Sequence, residues 1–180
     1  MANSNAPFGF RPTMRTLSGG GGSIQNVCKV VGYGTALFIN DAVTHAAASL
    51  LPIPAVDAAI TPGTTPVAGV NLIYGAASTA TNHIILLADA GAVFEVQGDG
   101  TGSYLIAATM SKNANIALTA GNTGTKVSKH ELSETSLNTT NTLDLKVRGL
   151  VQNSVNVLGQ YAVVYVTFNN LVGSDQKAGI

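Results

Sequence analysis

Charge is scarce in this chain. Asp, Glu, Lys and Arg make up 10% of its 180 residues, against about 25% in ordinary globular domains. The 9 basic and 9 acidic side chains cancel, so no basic patch argues for nucleic acid as a partner. Tryptophan is absent and aromatics are only 6%, which leaves the core to small and β-branched side chains. Cysteine occurs once, at Cys28, so no intrachain disulfide can form. With Val27 and Val30 as neighbours, Cys28 reads as a buried thiol in a strand. Lys29 is next to it in sequence, but in a strand it points to the other face and leaves the thiol unactivated. No apolar run approaches the ~20 residues that span a bilayer, so no membrane partner is expected. The opening has no basic stretch followed by an apolar one, as a secretory signal would. The expectation is a chain made in a cytoplasm and soluble or assembled there.

Catalytic motifs are equally scarce. The three histidines, His45, His83 and His130, have no ligand-type neighbour at metal spacing, and neither HExxH nor CxxC occurs. No GxSxG elbow marks a nucleophile. His83 reads as a satisfied residue at a strand start, and His45 and His130 as exposed. Gly98 to Gly102 resembles a phosphate loop only in glycine content. Ser103-Tyr104 follows where a P-loop needs Lys-Ser/Thr, so a hairpin loop is expected. Asp89, Glu95 and Asp99 lie close in sequence, but neither glycosidase pairing nor EF-hand spacing supports a site there. The expectation is a non-enzyme with no catalytic residue, no metal and no cofactor.

What the chain does have is apolar content of 46% and a mean hydropathy of +0.29. Such a chain can build a core and is not disordered over most of its length. A weakly charged, net-neutral protein also tends to associate. Short apolar or alternating runs recur at 24–31, 35–39, 67–74, 82–88, 92–97, 142–148 and 160–168, with weaker ones at 115–119 and 125–132. Gly-, Asn- and Thr-rich turns separate them. In 92–97, Phe94 and Val96 share one face and Glu95 and Gln97 the other, as in a half-buried strand. In 142–148, Leu143, Leu145 and Val147 alternate with Asp144, Lys146 and Arg148, a pattern that specifies register. Residues 160–168 are apolar on both faces, which suits a central strand or an interface. Pro52 and Pro54 limit residues 49–60 to a loop or an edge strand, and 103–110 permits either a short helix or a strand. The spacing predicts an all-β fold, an antiparallel sandwich or barrel of short strands.

The first residues, Met-Ala-Asn-Ser-Asn-Ala-Pro-Phe-Gly-Phe-Arg-Pro, read as an extended arm. Pro7 and Pro12 fix φ and remove amide donors, and they push Ala6 and Arg11 away from helical geometry. Phe8, Phe10 and Arg11 on such an arm suit docking onto another protein surface. Gly19, Gly20, Gly21 and Gly22 follow as a flexible hinge. The division is an arm and hinge at 1–22, a β-rich body at 23–172 and a loose polar tail at 173–180. Deleting 1–12 should then leave the body folded.

The Ala-Pro-Phe-Gly-Phe-Arg-Pro run, the Gly-rich hinge and the β-rich remainder resemble a family of tailed-bacteriophage structural proteins, the capsid decoration or cement proteins. Specific identity covers about the first dozen residues. The resemblance implies a virion protein on the outer capsid surface that stabilises the shell by bridging major capsid protein subunits. The partners it implies are the major capsid protein and further copies of the chain, as a homotrimer, and it implies no catalytic residues. The competing expectation is a head fibre or tail adhesin that binds a host receptor or glycan; the few aromatics weigh against it. A small hydrolase would need a cleft with a shifted histidine.

Overall fold

The computed structural model describes residues 3–16, 23–29, 35–45, 55–57, 60–77, 82–102, 104–172, 176 and 179, with only the backbone described at 14–16, 23–29, 55–57, 82–84 and 87. Among these residues the structure is mainly β, as expected, and its two helical turns are single 3-10 turns. No helix among them is long and apolar enough to cross a membrane. The Gly19–Gly22 hinge, residues 30–34 and nearly all of the 173–180 tail lie outside the described residues. So do the side chains of Cys28 and His83, whose backbones lie in strands.

One sheet is built from β1 (Arg11–Thr16), β7 (Ala92–Gln97), β12 (Val163–Phe168), β11 (Leu145–Leu150) and β8 (Asn113–Ala114), in that spatial order and antiparallel throughout. β12 is central, so both of its edges are paired. Register sets Val166 opposite Phe94 and Val164 opposite Val96 on one side. On the other side, Leu145 faces Phe168 and Val147 faces Val166. These side chains therefore share one face and are all buried.

The pairings of β2 (Ser23–Lys29), β4 (Ala55–Asp57), β3 (Ala42–His45), β5 (Gly69–Asn71) and β6 (Asn82–Leu87) close on themselves into a ring. Here the β2–β4 pair is parallel, a departure from a purely antiparallel scheme. β9 (Ile116–Ala117) and β10 (Glu131–Leu132) form a small separate ladder. The two larger units are joined by backbone bonds such as Val67 N to Asn170 O at 2.8 Å. One core cluster runs through both, including Phe10, Val70, Phe94, Leu132, Leu145 and Phe168.

Several expectations change in detail. Residues 35–39 form isolated bridges, not a strand. Asn40, at φ 72°, and a bond from Phe38 N to the Asp41 carboxylate turn the chain before β3. Residues 92–97 are buried on both faces except at the half-buried Glu95, and the Gln97 side chain on the second face bonds the backbone of residues 4–6. Asp144 is not on the solvent face of a strand but fully buried ahead of β11. Gly98 to Gly102 is no hairpin: it leaves β7, pairs at Gly98 with Leu132, and leads on to the 3-10 turn at Ala107–Thr109. Folded structure begins well before Ser23, since β1 is an edge strand of the main sheet. An edge is where Pro12 is tolerated in a ladder.

Candidate functional site: the N-terminal segment and its seat

Residues 3–16 are extended, but they lie on their own body. Asn3 clamps the 157–160 loop: its amide nitrogen donates to Val157 O at 2.8 Å and Gln160 O at 2.9 Å, and its side-chain oxygen accepts from Val157 N at 3.0 Å. The buried Gln97 continues the track. It donates to Ser4 O and Tyr161 O, and accepts from Ala6 N at 2.9 Å. At Gly9 the chain turns with φ +74°, and a Cβ there would meet Asn40 O at 2.5 Å and overlap the Ser128 side chain. Only glycine permits both the turn and the close approach. Asn40 holds the turn from both sides, accepting from Phe10 N at 2.9 Å and donating to Phe8 O at 3.0 Å.

The three arm residues part company. Phe10 is fully buried, its ring 5.1 Å from that of Phe168, which in turn lies 4.9 Å from Phe94. It is a core residue, which corrects its reading as a surface anchor. Arg11 opposes Glu95 across the β1–β7 ladder and donates to its carboxylate through Nε at 2.9 Å. The guanidinium also sits 4.6 Å from the centre of the Phe8 ring. Phe8 is half-buried, while the Arg11 side chain is 57% exposed. Deleting residues 1–12 would therefore remove a core ring, contrary to the expectation of an intact body.

Beneath the Gly9 turn lies a polar cluster that sequence reasoning missed. His130, expected to be exposed, is buried, as are Asp41 and Ser128. His130 Nδ1 accepts from Ala42 N at 3.3 Å, so the proton of the neutral ring is on Nε2, 3.5 Å from Asp41 Oδ1. Burial pushes the imidazole down and the Asp41 carboxyl up, each only partly offset by the other. The nearby Ser128 side chain helps to hold the Asp41 carboxyl down, and its hydroxyl accepts from His130 N. Phe38 N donates to the Asp41 carboxylate and Ala42 N to the imidazole, so the pair braces the 38–42 turn. A cavity of about 260 Å³, lined in part by Phe38 and Gly121, opens beside the pair. His45, also expected to be exposed, is half-buried at the end of β3.

A second cluster joins Asp99, Glu131 and Glu134. Glu134 is buried, and its carboxylate accepts from Gly100 N at 3.3 Å. Asp99 caps the adjoining turns, accepting from Thr101 N at 3.0 Å and Glu134 N at 3.2 Å. Burial first, then the neighbouring carboxylates, pushes Glu134 up to about 7. Burial and Asp99 do the same to Glu131, again to about 7, against the nearby Lys129. Among the described residues, no group of three His, Cys, Asp or Glu side chains is placed to hold a metal ion. The other two carboxylates of the 89–99 stretch serve locally. Asp89 caps its own turn through Gly91 N, and Glu95 takes Arg11.

A third feature is an exposed apolar face. The bridge between Leu105 and Gly159 buries Leu105 and sets Ile106 across from Leu158. Tyr104, Ile106, Val155, Val157 and Leu158 stand 43% to 58% exposed there. Comparison with protein-family models, curated proteins and solved structures finds no match.

Proposed function

We propose that this chain is a structural protein of a virion rather than an enzyme. More particularly, it is a capsid decoration or cement protein of a tailed bacteriophage. It sits as a homotrimer on the outer capsid surface and bridges major capsid protein subunits. The observation that carries the proposal is the apolar face: Ile106, Val155, Val157 and Leu158 are exposed on a chain whose charges cancel. Exposed apolar patches of this kind mark sites of protein contact. The resemblance of residues 6–12 to the decoration proteins supports the same reading, and it assigns the shell as the larger partner.

The anchors differ from those suggested by sequence. Phe10 serves the core, so Phe8 and Arg11, joined as a cation–π pair at the surface, are the arm residues left to meet a capsid. Repeated weak contacts from several linked copies give high avidity without any strong single contact. Incubating the purified chain with empty capsids and imaging the particles tests the proposal. Ordered extra density on the outer shell is expected. Bare capsids, or density confined to a fibre or tail tip in the virion, would overturn it, and the latter would favour the adhesin.

A further inference from the structure

We infer that Glu134 is a proton-held latch on the N-terminal segment. While its carboxyl keeps a proton, the 98–102 turn, residues 157–161 and residues 3–6 stay docked. When the proton leaves, they open together. The device goes beyond the proposed role, because it belongs to the chain alone and acts without a partner.

A relay of contacts wires the latch to the N-terminal segment. Glu134 is 1% exposed. One carboxyl oxygen accepts from Gly100 N at 3.3 Å and fills the place that a Cβ on Gly98 would take. The other oxygen is buried with no hydrogen-bond partner. The turn carries the connection onward. Gly100 O accepts from the Gln160 side chain at 2.9 Å, and Gly98 N donates to Ala162 O at 3.0 Å. The Tyr161 ring lies so close over Gly100 that a Cβ there would overlap it. Residues 157–161 in turn hold residues 3–6. Asn3 clamps Val157 and Gln160, and Gln97 bonds Ser4, Ala6 and Tyr161.

Charge strains this relay. The charged neighbours of Glu134 are Asp99 on the turn and Glu131 on β10, both acidic, and Lys129 acts on Glu131. Residues 157–163, residues 3–6 and β9 bring no Asp, Glu, Lys or Arg, and their one titratable group is the Tyr161 phenol. An ionised Glu134 is therefore a dry charge with one oxygen unbonded and two carboxylates at hand, which is strongly unfavourable. Burial is the largest influence; the Gly100 amide opposes it, Asp99 and Glu131 add to it, and the carboxyl is held up to about 7. Opening the turn returns the carboxyl to water and to its ordinary 4.5. The docked form is thus fully favoured below about 4.5. It loses ground by about tenfold per pH unit above that and levels off beyond about 7.

Amide hydrogen exchange of the purified chain at about pH 5 and about pH 8, corrected for intrinsic rates, tests the inference. Amides of residues 3–6, 98–102 and 157–161 should open roughly 50-fold more often at the higher pH. The opening should be local: insensitive to low urea, whereas the central strand β12 exchanges only through a urea-dependent opening. E134Q keeps an oxygen for Gly100 N but cannot ionise, so it should cancel that rise. D89N, at a turn before the other end of β7, should retain it. The wild-type profile tests the latch without any variant. Opening that does not change with pH would overturn the inference, as would amides that open only together with β12. So would E134Q protein that keeps the full rise, or D89N protein that loses it.

Discussion

Replacing Phe10 by alanine tests whether the N-terminal segment belongs to the body. The ring is fully buried and stacks on Phe168, which lies opposite Leu145 and packs on Phe94. Truncating a buried phenylalanine loses its transfer free energy and leaves a cavity, together about 3–5 kcal/mol. Domains are stable by about 5–15 kcal/mol, so this is a large share. With a urea slope of about 2 kcal/mol per molar, the unfolding midpoint should fall by roughly 2 M. Arg11 is the internal control. Its side chain is 57% exposed, so the pair with Glu95 is screened by solvent, and R11A should cost no more than about 1 kcal/mol. If F10A shifted the midpoint no further than R11A, the segment would not be docked through Phe10 in solution, and the placement described above would be wrong.

Three further outcomes follow from the buried polar groups and the turn. Glu134 is held near 7 against an ordinary 4.5, so the folded state favours its protonated form. That contribution is complete below about 4.5 and is lost as pH rises through about 7. At about 1.4 kcal/mol per unit the loss is roughly 3 kcal/mol; because Glu131 carries a similar shift, E134Q should reduce by roughly half the pH dependence seen in urea melts across the span from the ordinary to the raised value, and an unchanged slope would contradict the assignment. D144A strips the acceptor from Gly63 N and Ile116 N, two amides at about 1–3 kcal/mol each; a midpoint within error of wild type would refute its role as a hub. G9A cannot keep both the positive φ and the contact with Asn40 O, so hydrogen exchange should show residues 3–10 losing protection, while retained protection would show that the seat tolerates a side chain.

Strand positions were legible where alternation or composition was strong. Residues 92–97 coincide with β7, and the doubly apolar 160–168 run became the central strand β12. The arm's extended form was legible from its prolines, but its destination was not. Phe-Gly-Phe reads the same whether the rings meet a partner or the chain's own core, and only the fit of Gly9 against Ser128 and Asn40 decides. Buried polar residues were the main blind spot. Asp144 alternates with apolar neighbours just as a solvent-facing residue would, yet its carboxylate serves Gly63, Ile116 and Asn170 from distant segments. The pairing of His130 with Asp41 spans too much chain for any local motif. In each case the deciding partner is remote in sequence, and local periodicity carries no trace of it.

The central claim is that this is a shell-binding structural protein, and imaging empty capsids mixed with the purified chain tests it most directly. The account predicts ordered density at repeated sites on the outer surface, seated over junctions between major capsid protein subunits. Capsids that remain bare at saturating protein, with the chain shown to be folded, would contradict it.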